Sequence, residues 1–82
     1  MHIVSIEGAT RAVGARQGYL GLPIRDEVMN CSVNGPDTPV MVTAWQPTPD
    51  ELARLVAGGS IQLRVLGIIH PPVILEVPHL PV

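Results

Sequence analysis

Short apolar runs alternate with clusters of glycine, proline and asparagine along the chain, the punctuation expected of brief strands and tight turns. His2 to Glu7 is β-branched and predicts a first strand. Gly8 to Gly18 holds three glycines with no usable period and reads as a loop. Tyr19 to Arg25 predicts a second strand, which Gly21 and Pro23 confine to an edge or a bulge. Asp26 to Pro39 reads as a turn-rich connection centred on Asn34-Gly35-Pro36-Asp37. Val40 to Trp45 predicts a third strand, with Val40, Val42 and Ala44 on one face and Met41, Thr43 and Trp45 on the other.

The pattern then changes period. In Thr48-Pro49-Asp50-Glu51, Thr48 is the expected N-cap, and Pro49 takes the first helical position, where a missing N–H costs nothing. Glu51 completes a capping box, and Asp50 and Glu51 both favour the positive end of the helix dipole. Leu52, Leu55 and Val56 form a stripe at helical spacing, and Gly58-Gly59 ends the helix near Ala57. Beyond it, Ser60 to Leu66 alternates Ile61, Leu63 and Val65 against Gln62 and Arg64, the mark of a half-buried strand. Gly67 to Pro72 connects it to Val73–Val77, a last strand expected to run antiparallel to it. The prediction is one α+β domain over residues 1–82, a small, mostly antiparallel sheet of about five strands in the order β-β-β-α-β-β, with one short helix packed on it.

Composition adds a partner to this picture. Of 82 residues, 46% are hydrophobic and 15% charged, where soluble domains carry about 25% charged. One small core cannot hide so much aliphatic surface. The single cysteine, Cys31, excludes both an internal disulfide and a thiolate metal cluster, so a homo-oligomer is the expected reinforcement. A net charge of −2 argues against duplex nucleic acid and against anionic membrane surfaces. No run approaches the roughly 20 apolar residues that span a bilayer, and the first residues lack the build of a signal peptide. The expected location is cytoplasmic, with no membrane association.

Candidate chemistry is sparse. His2, His70 and His79 accompany Ser5, Ser32, Ser60 and Cys31, but no nucleophile elbow, phosphate loop or metalloprotease helix is present. Glu7, Asp26, Glu27 and Glu76 offer carboxylates with nothing to single out a pair. The expectation is a protein without catalytic residues, metal site or cofactor. A binding role rests on Arg11 and Arg16 in the glycine-rich loop, Arg25, Arg64, the two aromatics Tyr19 and Trp45, and His70, held before Pro71-Pro72. Forked guanidinium groups grip phosphate or carboxylate, and an aromatic face stacks on a base. Each residue also has a plainer reading: solvated arginines, Trp45 as the core anchor of a chain without phenylalanine, and His70 in a rigid turn.

Ala44-Trp45-Gln46-Pro47-Thr48-Pro49-Asp50-Glu51-Leu52, Ala57-Gly58-Gly59 and Gly67-Ile68-Ile69-His70-Pro71-Pro72-Val73 together resemble small proteins encoded by phages and prophages of GC-rich bacteria, as do Glu7-Gly8-Ala9-Thr10 and Gly21-Leu22-Pro23-Ile24-Arg25-Asp26. The resemblance carries no established activity and no site residue. It implies a setting in the host cytoplasm, where such proteins serve as virion components or as inhibitors of host defence. One class of inhibitor acts as a sponge for nucleotide-derived signals held between subunits. The leading expectation is therefore a sponge for a small anionic nucleotide. The alternatives are an inhibitor or adaptor of a host protein and a structural or assembly component of the phage.

Overall fold

A computed structural model describes residues 1–14 and 20–78. Five strands and a helix follow in chain order: β1 (His2–Val4), β2 (Arg11–Val13), β3 (Leu22–Cys31), β4 (Gly35–Val42), β5 (Ala44–Gln46) and α1 (Pro49–Val56). All pairings are antiparallel. β1 and β5 make a two-stranded ribbon, and β2, β3 and β4 make a three-stranded sheet with β3 in the middle. The α+β class, the five short strands and the single helix agree with the sequence. Their placement differs, because all five strands precede the helix, in two sheets rather than one.

Two of the expected strands extend into the stretch expected to be turns. β3 and β4 form a long hairpin through Asp26–Pro39, closed by a tight turn at Ser32–Asn34. Gly35 leaves that turn at φ +90°, a conformation open to glycine, and Thr38 Oγ1 donates to its carbonyl at 3.0 Å. Between Met29 and Cys31 the register slips, and Asp37 opposite that slip has φ 58°. The extra residue is a bulge that carries Pro36, and Pro39 follows in register with Val28. Prolines survive here because β4 is an outer strand, where a missing N–H leaves no broken ladder on both sides. β2 lies inside the expected glycine loop, at Arg11–Val13.

The helix forms as its sequence dictates. Thr48 Oγ1 accepts from Glu51 N at 3.2 Å, and Glu51 Oε1 accepts from Thr48 N at 2.9 Å. The Met1 ammonium also pairs with Glu51, tying the first turn to the start of β1. Gly59 N donates to the Arg54 carbonyl at 2.8 Å and closes the far end. The stripe, however, is not packed on the sheet: Leu55 is half-buried, while Leu52 and Val56 are exposed. What secures α1 is the chemistry of its first turn rather than apolar packing.

Among the described residues one side chain is buried, Ile24 on the central strand, at 3% exposure. After Gly59 the chain runs to Pro78 without helix or strand. The strands expected at Ser60–Leu66 and Val73–Val77 do not form, because neither segment has a neighbouring strand to complete its ladder. No helix among the described residues is long and apolar enough to cross a membrane.

Candidate functional site

Strand register decides which side chains meet. In the ribbon Ile3 pairs with Trp45, so both point to one side, and in the sheet Val13 pairs with Leu22 in the same way. These two faces turn toward each other. Together with Gly14, Leu20 and Leu66 they line an open cleft of about 530 Å³ with almost no polar surface. Trp45 remains 47% exposed on its wall, and its Nε1 donates to Thr43 Oγ1 at 3.0 Å, which fixes the indole ring. Trp45 is thus neither a buried core anchor nor a freely solvated ring.

The arginines expected to gather around a ligand are dispersed. Arg11 shares the face of Ile24 across the β2–β3 pair, and Arg25, one residue further along β3, points to the opposite face. Arg11 grips Asp26 with both arms of its fork, Nε to Oδ2 at 3.0 Å and Nη2 to Oδ1 at 3.1 Å. Thr10 Oγ1 donates to the same carboxylate at 2.6 Å. The hydrogen bonds from Arg11 and then Thr10 hold the Asp26 carboxyl below the usual range. The Arg11 guanidinium is raised in turn, first by its hydrogen bond to Asp26 and then by the attraction of that charge. Arg25 crosses the turn after β1, with Nη1 donating to the Glu7 carbonyl at 2.9 Å and Nε lying 3.4 Å from Glu27 Oε2. Gly8, at φ +76°, makes room for that crossing, since a Cβ there would sit 3.3 Å from Arg25 Cδ.

Arg64 is exposed beyond the helix and joins no ion pair among the described residues. Two positions after it, Leu66 reaches the rim of the cleft. His70 is exposed as well, its Nδ1 2.7 Å from the Pro71 carbonyl, an arrangement in which the ring donates to its own connector. Arg16 and Tyr19 lie outside the described residues. Among the described residues no three histidine, cysteine or acidic side chains gather where a metal could sit. Cys31 stands at the hairpin turn, where the backbone N–H groups of Asn34 and Val33 lower its thiol below the ordinary range.

Three comparisons with known proteins give no match: none to a family model, none to a curated protein, none to a solved structure. Among the described residues, Trp45 alone of those singled out in the sequence lines the cleft. Its aliphatic partners went unnoticed because none stands out in the sequence, whether in a strand, as Ile3, Val13 and Leu22 are, or outside one, as Leu20 and Leu66 are. They become a surface through the pairings Ile3–Trp45 and Val13–Leu22, which local pattern does not specify.

Proposed function

We propose that this is a non-enzymatic binding protein whose apolar cleft docks a polypeptide segment, within a phage assembly component or an inhibitor or adaptor of a host protein. One observation carries the reading: the cleft walled by Ile3, Val13, Leu22 and Trp45 is apolar, and the charged groups on the neighbouring strands are already paired with each other. Apolar walls around a fixed aromatic suit an extended or helical segment of a partner protein. They offer little to a phosphate, which needs several donors aimed at one point.

A second reading, capture of a small nucleotide-derived anion at a subunit interface, is favoured by Arg64. It has no carboxylate partner among the described residues and sits two positions from Leu66 at the rim, within the same reach of chain as the Trp45 face. Tyr19 and Arg16 belong to this reading by sequence alone.

The test uses a photoreactive amino acid at position 45 in the producing cell, alongside native mass spectrometry and calorimetric titration of cyclic dinucleotides and ADP-ribose derivatives. The expected result is a cross-link to a polypeptide, no retained small molecule and no heat from any nucleotide. A retained nucleotide or micromolar binding of one of these ligands overturns the first reading in favour of the second.

A further inference from the structure

Folded monomers expose surface in proportion to a power of their mass, and a chain of 8.7 kDa should show about 4,700 Å². This one exposes 7512 Å². The surplus is roughly 2,800 Å² per chain, against about 800 Å² that each partner covers in a standard interface and far more in obligate, intertwined ones. The radius of gyration agrees: 14.7 Å, where a compact chain of this length has about 12 Å.

The surplus is concentrated beyond the helix. Leu66, Ile68, Ile69, Ile74 and Val77 there are each at least 69% exposed. Two parts of this segment have strand patterning, Ser60–Leu66 and Val73–Val77, yet neither joins a ladder. The reverse deficit stands beside it. β1 and β5 form a ribbon of three-residue strands with two outer edges, and β2 is an equally short outer strand. A two-stranded ribbon is marginal in water until a third strand or a packed layer covers it. The chain therefore carries unpaired strand segments and unfilled strand edges, flanking one apolar cleft.

We infer that a second copy of this chain fills that surface: the Ser60–Val77 segment of one copy extends along the cleft of its neighbour and adds strands to the edges beside it. The exchange is self-complementary, so a pair of copies satisfies both deficits at once. Ile61, Leu63 and Val65 share one side of an extended strand and would lie on the apolar walls, leaving Gln62 and Arg64 outward. Charge fits as well. Arg64 on the first part and Glu76 on the second are opposite in sign, so the first part of one copy and the second part of its neighbour lie side by side without repulsion. The outer edge of β4 is a poor receptor, because Pro36, Pro39 and the bulge interrupt it.

This inference rests on the reading of the cleft as a protein-docking surface, but the two fail separately. Nucleotide capture defeats that reading, whereas a cross-link from position 45 to a foreign chain leaves it standing and defeats the exchange.

The experiment combines sedimentation velocity with amide hydrogen exchange on the full chain. The expected mass is a multiple of 8.7 kDa, with amides of 61–66 and 73–77 protected on the order of 100-fold and losing that protection on dilution. Leu63→Lys is expected to lower the mass to one chain and free those amides while the helix amides stay protected. Gln62→Lys, on the other side of the strand, should leave both unchanged, which separates lost assembly from lost folding. A single chain at about 100 µM overturns the inference, and so does an oligomer whose tail amides exchange freely. Protection that appears only on adding phosphatidylglycerol vesicles or a foreign protein overturns it too.

Discussion

Shortening Ile24, the one side chain buried among the described residues, should cost this protein more than any other single apolar change within the sheet. Ile24 lies on the central strand at 3% exposure, with Val13 and Leu22 beside it on the same face. Ile24→Ala removes three carbons; at about 0.8 kcal/mol each, the lost transfer energy is roughly 2.4 kcal/mol before any cavity is counted. Incomplete collapse adds to that, and core Ile→Ala changes cost about 2–5 kcal/mol, whereas Ile24→Val should cost about 1 kcal/mol. A domain of this length has a total margin of only about 4–12 kcal/mol. The alanine variant should therefore lose a large part of it, and the valine variant should melt about 4–8 °C lower. Val33→Ala, at 88% exposure in the hairpin turn, should stay within about 0.5 kcal/mol of the parent. Urea unfolding followed by Trp45 emission, at one protein concentration throughout, measures all three. Equal losses for Ile24→Ala and Val33→Ala would refute the assignment of the core, as would a loss below about 1 kcal/mol for the former.

Four further outcomes follow from local geometry. Thr48→Ala removes the acceptor for Glu51 N and should destabilise by about 1 kcal/mol, read as lost helical ellipticity and a lower Tm. Glu51 is held down to about 2, first by its bond to the Met1 ammonium and then by the Thr48 N–H. Its folded value lies below its unfolded one, so its contribution is complete above about pH 4.5 and fades as pH falls toward 2; an acid titration of Glu51→Gln should lack that component. Gly59→Ala would place a Cβ 2.7 Å from the Arg54 carbonyl oxygen and should disturb the helix end, visible as faster exchange at Ala57 and Gly58. Arg11→Met should leave the melting temperature close to the parent's, since its pair with Asp26 is exposed; a marked drop in thermal melts would contradict that.

The helix was legible to within a residue of its end because its signals are local. Thr48, Pro49 and Glu51 satisfy one another over a few residues, and no distant partner is required. The β3–β4 hairpin was hidden by its own prolines and acids, which read as loop until β4 is known to be an outer strand. The tail shows the opposite case: its alternation is real strand pattern, but pairing is a property of two segments, and no second segment among the described residues answers it. For the site, the arginines could be named from the sequence but not placed. Arg11 and Arg25 differ by the parity of their register positions, which sends them to opposite faces.

The proline-broken edge of β4 also limits how far such a protein could grow. A sheet that accepts strands on every border can elongate without end, as fibrils do. With Pro36, Pro39 and the displaced residue at Asp37 along one border, elongation from that side terminates. Copies joined at the ribbon or at β2 would present that border outward as a cap.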